Sequence, residues 1–202
     1  MHRINDVKYV LPPIALIVGG LAGLILLEPD FGTSVALAIV VAGMVMAAGL
    51  SYKYIVGLGL VLVPLGYLVL ISAPYRMRRW IAFWCPECDA LGDGFHLLQS
   101  LIAVGSGGWL GRGLMGGIQK LYFLPEPQTD FIYAVIAEEL GLLGATLVVV
   151  CFCVIAWRGL RAAVSAPDRF GAFLALGITT MVVAQALLNI SVVLGLAPTK
   201  GI

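Results

Sequence analysis

The sequence has 202 residues, of which 61% are apolar and only 11% are charged, and its mean hydropathy is +1.03. A soluble domain carries about 25% charged residues, and a disordered chain has low hydrophobicity, so both classes are excluded. The 12 basic residues nearly balance the 11 acidic ones, which excludes a nucleic-acid binder that relies on a basic surface. The composition therefore predicts a membrane protein.

The charged residues are clustered, and the uncharged runs between the clusters predict membrane-spanning helices. Each run has about the 20 residues that a helix needs to cross roughly 30 Å of hydrocarbon. We predict an all-α, polytopic integral membrane protein, a single membrane domain over residues 1–202 with about five transmembrane helices. The predicted spans are residues 9–27, 32–50, 54–73, 131–157 and 171–195.

A long extracytoplasmic loop, residues 75–130, is predicted between the third and fourth spans. It holds ten of the charged residues, and loops of this length are uncommon unless they are functional. The short connections on the opposite side carry basic residues: Arg3, Lys8, Lys53, Arg158, Arg161 and Arg169. Because positive charge in short loops marks the cytoplasmic side, we predict that the long loop faces outward.

The end of that loop, residues 124–131 (LPEPQTDF), leads directly into the fourth span. Asp130 can cap the first helical turn by accepting from backbone N–H groups that lack a partner there. Alternatively, it is a partly desolvated carboxylate at the membrane boundary that acts as a general base, with Glu126 as its partner carboxylate. Glu138 and Glu139 lie about two turns further on. Charge there is costly in lipid, so we expect both to face a protein or aqueous interior.

Three arginines, Arg76, Arg78 and Arg79, follow the third span directly, where a lipid phosphate would lie. A planar guanidinium can bind phosphate through two parallel hydrogen bonds. The alternative is ordinary interfacial anchoring, in which the charged end reaches water while the stem lies against lipid. Lys120 and Lys200 are weaker candidates for phosphate binding.

Two short motifs in the loop resemble cofactor or metal sites. Residues 111–116 match G-x-G-x-x-G, but the strand and parallel-sheet unit of a dinucleotide site are lacking, so no nucleotide cofactor is predicted. The glycines of residues 105–117 instead favour a tight or re-entrant loop. Cys85 and Cys88 form a lone C-x-x-C, followed by His96. Two free thiols, a disulfide and an incomplete metal site are the alternatives.

Several segments resemble the shape, elongation, division and sporulation (SEDS) family of bacterial membrane proteins, in the family's order along nearly the whole chain. Residues 119–131 (QKLYFLPEPQTDF), continued by 137–141 (AEELG), carry the most specific part of the resemblance. The other matching segments are residues 28–33 (EPDFGT), 74–79 (PYRMRR), 99–108 (QSLIAVGSGG) and 198–201 (PTKG). The second and the last of these resemble the cell-division members more than the elongation members.

The resemblance implies a peptidoglycan glycosyltransferase that polymerises lipid II into glycan strands during bacterial cell division. Asp130 matches the family's essential loop aspartate, which implies that it deprotonates the acceptor sugar's 4-hydroxyl for attack on the donor's anomeric carbon. Arg79, Lys120, Glu126 and Lys200 match residues that would bind the substrate. A divalent cation, Mg²⁺ or Mn²⁺, is implied as well, and the resemblance does not identify its ligands.

The resemblance also implies partners and a location. The partners are lipid II, a class B penicillin-binding protein (transpeptidase) and other divisome membrane proteins, with no nucleic acid. The location is the bacterial cytoplasmic (inner) membrane, at the division septum. Two other functions stay open: a lipid II flippase or other transporter, and a non-catalytic division scaffold. Because family members have about ten spans, we expect the chain to be an internal-to-C-terminal fragment.

Overall fold

The computed structural model describes residues 7–27, 31–71, 74–89, 92–122, 124 and 129–198. Within these ranges the regular structure is helical, without a strand, and this confirms the predicted all-α fold. The helices are α1 (Val7–Leu27), α2 (Phe31–Ala47), α3 (Tyr52–Ile71), α4 (Pro74–Trp84), α5 (Asp93–Gly107), α6 (Gln119–Tyr122), α7 (Ile132–Ser165) and α8 (Arg169–Val193). A short 3-10 helix, Pro86–Asp89, lies between α4 and α5.

Five of these helices correspond to the five predicted spans. α1, α2, α3 and α8 begin and end within a few residues of the predicted bounds, whereas α7 continues to Ser165, beyond the predicted end at residue 157. By length and composition, α7 and α8 can each cross a membrane. The exact bounds of the membrane-embedded parts stay predictions.

The predicted outward loop, residues 75–130, is largely helical. It contains nearly all of α4, the 3-10 helix, α5 and α6. In α5 the buried residues Leu97, Ser100 and Ala103 recur every third position, which places them on one face of the helix. Charge-free runs of about 20 residues identify spans, but helices of 11 or 15 residues with polar ends do not stand out by that criterion.

One compact unit comprises residues 1–69, 155–185 and 201–202. Within it, α1 packs against α2, and α8 contacts both α2 and the last part of α7. A Cβ added at Gly159 would lie 2.1 Å from Thr179 Oγ1, and one added at Gly43 would lie 3.7 Å from Thr180 Cγ2. Gly159 therefore lets α7 and α8 approach closely, as is usual for small residues in lipid, whereas the distance at Gly43 is an ordinary van der Waals contact.

The second compact unit comprises residues 70–154 and 186–200 and contains the main core. Its buried residues come from α5, from the connection between α6 and α7, from α7 on both sides of Gly141 and from the end of α8: Ala103, Leu124, Phe131, Tyr133, Ala134, Ala137, Ala145, Val192 and Val193. The Ser100 hydroxyl donates to the Val193 carbonyl at 2.9 Å, which satisfies a carbonyl at the C-terminal end of α8. This core fixes the start of α7.

Candidate functional site

α7 is broken at Gly141, whose φ of 66° and ψ of −165° lie outside the helical region. Glycine adopts such a conformation without steric penalty. The break removes the helical hydrogen bonds from the carbonyls of Glu138 and Glu139. These carbonyls instead accept from the N–H groups of Arg112 and Gly113, both at 3.0 Å. A segment from outside the helix therefore completes its hydrogen bonding.

The N–H groups beyond the break are satisfied by the same segment, residues 107–117, here named the glycine segment. Leu142 N donates to Gly108 O at 2.9 Å, and Leu143 N donates to Trp109 O at 3.3 Å. In hydrocarbon an unsatisfied backbone group costs several kcal/mol, so a broken helix is tolerated where protein or water replaces the missing bonds. The tight loop predicted from the glycines is this segment, whose backbone forms hydrogen bonds with α7 on both sides of the break.

The break also bends α7 sharply. The Tyr133 hydroxyl donates to the Ala145 carbonyl at 3.5 Å, although these residues would lie about 18 Å apart along a straight helix. α7 is thus a short helix over residues 132–140 followed by a longer one over residues 142–165. The longer part extends about 36 Å, so it can cross the hydrocarbon without the first part. The predicted fourth span joined both parts as one helix.

Close backbone contact explains two glycines of the segment, Gly107 and Gly111. A Cβ added at Gly107 would lie 1.9 Å from Ala137 O. One added at Gly111, where φ is +77°, would lie 2.1 Å from Glu139 O. No larger residue fits at either position unless the backbone moves.

Glu138 is completely buried beside this contact. Its Oε1 accepts from Ile118 N at 3.0 Å, and both of its carboxylate oxygens lie within 3.4 Å of Gln119 N. Arg112 Nη1 lies 3.7 Å from the carboxylate. The expectation that Glu138 faces a protein interior is confirmed, because backbone donors and a guanidinium surround its charge.

Glu139 forms an ion pair with Lys120 of α6 through a short hydrogen bond. The backbone N–H groups of Met115 and Gly117 also donate to its carboxylate. Both partners are largely shielded from solvent, so this pair links α6 and the glycine segment to α7. The structure thus places Lys120, a predicted substrate-binding residue, beside a carboxylate.

Asp130 lies two residues before the start of α7 and is partly buried. Its backbone is held by Asn189 of α8, whose Nδ2 donates to Asp130 O at 3.0 Å and to Thr129 O at 3.3 Å. Asn189 is not among the site residues predicted from the sequence, although a polar amide inside an apolar helix is a signal that could identify it.

Of the other three predicted site residues, the structure describes only Arg79. Arg79 lies on α4, partly buried, in the same compact unit as Asp130 and Lys120. Glu126 and Lys200 lie outside the described residues. Among the described candidates, Lys120 forms an ion pair with Glu139, and the backbone of Asp130 accepts a hydrogen bond from Asn189.

Cys85 and Cys88 form a disulfide that joins the end of α4 to the 3-10 helix. The sequence left open two free thiols, a disulfide or an incomplete metal site, and in the structure the two cysteines form the disulfide. In the described part of the chain, no three His, Cys, Asp or Glu side chains come together as a metal site.

The fold and the site define a polytopic helical membrane protein in which a buried carboxylate, Glu138, lies beside the break in a helix. Residues 2–202 match the model of the cell cycle protein family named for FtsW, RodA and SpoVE. The chain belongs to this family, which confirms the resemblance drawn from residues 119–131 and 137–141.

Named relatives match over most of the chain. It is 46% identical over 193 residues to the probable peptidoglycan glycosyltransferase FtsW of Alkalilimnicola ehrlichii, covering 94% of this chain and 48% of that protein. It is 45% identical over 179 residues to the stage V sporulation protein E of Bacillus subtilis, covering 89% and 49%. The chain therefore spans about half the length of the curated relatives it matches.

A chain in a solved structure of a peptidoglycan synthase complex has a similar fold. The TM-score is 0.74 and the identity is 25%, over 96% of this chain and 53% of that one. That complex coordinates polymerization and crosslinking.

Proposed function

We propose that the protein is a peptidoglycan glycosyltransferase that polymerises lipid II during bacterial cell division. The observation that carries the proposal is the 46% identity, over 193 residues, to a relative named as such an enzyme. The site supports it, because Glu138 and Glu139 are engaged by backbone donors and by Arg112 and Lys120. These two carboxylates suit a structural role. Asp130 is the proposed general base because it matches the family's loop aspartate and its backbone is held at the start of α7 by Asn189.

In the proposed reaction, the Asp130 carboxylate accepts the proton of the acceptor sugar's 4-hydroxyl. The hydroxyl oxygen attacks the donor's anomeric carbon and forms the new glycosidic bond. The bond from that carbon to the diphosphate breaks, and undecaprenyl diphosphate leaves with the electron pair. A positioned general base contributes about 10²- to 10⁴-fold to such a rate.

The leaving diphosphate carries negative charge, and basic residues are its proposed contacts. Arg79, Lys120 and Lys200 are assigned this role, because charge-assisted hydrogen bonds to phosphate oxygens are strong. An ammonium group has three donors, so Lys120 can bind Glu139 and still contact a phosphate. Glu126 is the proposed partner carboxylate of Asp130.

A divalent cation, Mg²⁺ or Mn²⁺, belongs to the proposal through the family resemblance alone. Among the described residues no three His, Cys, Asp or Glu side chains come together, and Glu138 and Glu139 already have cationic partners, so these residues do not identify its ligands. No step of the proposed mechanism passes through a metal.

The proposed partner is a class B penicillin-binding protein, together with other divisome membrane proteins. The similarity to a chain of a peptidoglycan synthase complex supports a transpeptidase partner. The proposed location is the bacterial inner membrane at the division septum, where newly made glycan strands would be crosslinked.

The test is reconstitution of the complete protein with its transpeptidase partner and lipid II, followed by separation of the glycan products. Asp130→Asn is expected to lower the polymerisation rate by about 10²-fold or more, because the amide cannot accept the proton. Lipid II binding should change far less. A polymer yield equal to that of the parent would contradict the assignment of Asp130.

Asp168 offers a matched control for that variant. It also precedes a helix, α8, and its Oδ2 accepts from Gly171 N at 2.7 Å. Asp168→Asn removes a carboxylate from a helix start with no proposed part in the chemistry, so its polymerisation rate should stay within about twofold of the parent. An equal loss in both variants would point to the loss of negative charge at a helix start, since asparagine caps a helix about as well as aspartate.

A lipid II transporter is the second candidate, and the broken α7 favours it. Discontinuous helices with charged residues at the break form the substrate sites of many transporters. The discriminating measurement is movement of fluorescent lipid II across vesicles that contain the protein without its partner. Translocation without polymerisation would support the transporter, whereas polymerisation without translocation would exclude it.

A further inference from the structure

α4 exposes its apolar stripe. Met77, Trp80, Ile81 and Trp84 follow the spacing i, i+3, i+4 and i+7, which places them on one face of the helix. That face points away from the protein, since the side chains of Trp84 and Ile81 are 72% and 54% exposed. Ala82 lies on the opposite side and is buried. The apolar stripe therefore has no covering partner among the described residues.

The two tryptophan rings of this stripe contact each other, and Trp84 also contacts the neighbouring Phe83. The ring centroids of Trp80 and Trp84 are 6.5 Å apart, and those of Phe83 and Trp84 are 5.7 Å apart in an edge-on arrangement. Aromatic pairs at such distances are favourable beyond their apolar burial. The exposed indoles thus form a defined surface.

The charge of α4 indicates what this surface contacts. The helix contains three arginines and no acidic residue, and Arg78 is exposed beside the stripe. It begins at Pro74, three residues after α3 ends, which is where the third span should meet the headgroups. Tryptophan and arginine together favour the membrane–water interface, where indoles contact acyl chains and guanidinium groups contact phosphates.

We propose that α4 lies in the plane of the outer leaflet's interface and binds the bilayer itself. The stripe of Met77, Trp80, Ile81 and Trp84 is inserted at the level of the upper acyl chains, and Arg78 contacts anionic headgroups. Ala82 is the contact that keeps the helix on the protein. This surface would hold the segment that follows α3 at a fixed depth, independently of the reaction that the protein catalyses.

Depth-dependent quenching of Trp84 tests the proposal. In the full chain, Trp80, Trp109 and Trp157 are changed to Phe, and the variant is reconstituted in vesicles of phosphatidylcholine and phosphatidylglycerol. We expect strong quenching by lipids brominated near the headgroup, weaker quenching by lipids brominated near the chain end, and little quenching by aqueous iodide. Quenching by iodide without quenching by bromolipid would overturn the proposal, since the face would be in water. Protection from both quenchers would also overturn it, since protein would then cover the face.

A charge variant tests the headgroup contact. Quenching of Trp84 by spin-labelled phosphatidylglycerol, relative to spin-labelled phosphatidylcholine, gives the preference for the anionic lipid. Arg78→Gln is expected to lower this preference by about fivefold, the effect of one arginine near an anionic surface. As a control, Arg161→Gln removes an exposed charge near the C-terminal end of α7. It should leave the preference for the anionic lipid unchanged. An unaltered preference in Arg78→Gln would contradict the contact.

Discussion

Glu138 has no exposed surface, and a carboxylate removed from water loses several kcal/mol of hydration. Three groups offset this loss: the N–H groups of Ile118 and Gln119 and the guanidinium of Arg112. All three belong to the glycine segment or the residues directly after it. The charge can therefore be buried only while this part of the chain is docked against α7.

Removing the Glu138 carboxylate should destabilise the protein. Glu138→Ala is expected to lower the free energy of unfolding by about 2–4 kcal/mol, because it leaves two backbone donors without an acceptor. Glu138→Gln keeps an acceptor oxygen and should lose less than half as much. Thermal unfolding in detergent measures the difference, at roughly 2–4 °C per kcal/mol for a chain of this size.

The exposed Glu87 provides the control, and Glu87→Ala should unfold at the same temperature as the parent protein. Equal losses in Glu138→Gln and Glu138→Ala would contradict the hydrogen-bonding explanation. They would instead assign the stability to the ionic contact with Arg112.

At the level of elements, the fit between the glycine segment and α7 is made by backbone atoms. The four hydrogen bonds across the break use main-chain groups on both sides. Side chains in the segment therefore matter chiefly where they would keep the two backbones apart. Gly111 is such a position, because it approaches Glu139 and Gly141 closely and also has a positive φ.

Gly111→Ala is expected to undock the segment, whereas Gly113→Ala should not. Both residues have positive φ, +77° and +92°, so each alanine carries a left-handed strain of about 1–2 kcal/mol. A Cβ at Gly113 meets open space, and only Gly111→Ala adds a backbone clash. Amide hydrogen exchange should show lost protection at Leu142 and Leu143 in Gly111→Ala alone. Similar exchange in the two variants would mean that strain alone decides the docking.

Some elements could be predicted from the sequence because their causes are local. A helix that crosses hydrocarbon needs a long apolar run, and the helices α1, α2, α3 and α8 do lie on the apolar runs of the sequence. The break at Gly141 was not predicted, because a glycine in an apolar run commonly serves helix packing instead. What distinguishes Gly141 is the docked glycine segment, which lies far away along the chain.

The candidate site shows the same division. The position of Asp130 just before a helix could be predicted, because the prolines before it and the apolar run after it locate the start of that helix. The amide of Asn189 stands out in an apolar helix, but its contact with Asp130 could not be predicted, since the hydrogen bond joins residues 59 positions apart. The partners of Glu138 and Lys120 likewise depend on tertiary contacts, and only the expectation of a buried Glu138 followed from its place in an apolar run.

For the whole molecule, the distribution of charge decides which side of the membrane each connection faces. Lys53, Arg158, Arg161 and Arg169 lie in or beside short connections, and positive charge in short loops stays in the cytoplasm. The loop over residues 75–130 would then face outward. Asp130 lies where this loop meets α7, so the orientation determines on which side a lipid-linked substrate would react.

Cysteine labelling tests this orientation. In a background with all four native cysteines replaced by serine, Glu87→Cys reports on the long loop, and Ser165→Cys reports on the connection after α7. Both positions are exposed. In right-side-out membrane vesicles, a membrane-impermeant maleimide is expected to label Glu87→Cys at once and Ser165→Cys only after permeabilisation. A permeant maleimide should label both and shows that each thiol is reactive. The reverse pattern would invert the orientation. Labelling of both sites in sealed vesicles would mean that they lie on the same side, which would contradict a single crossing by α7.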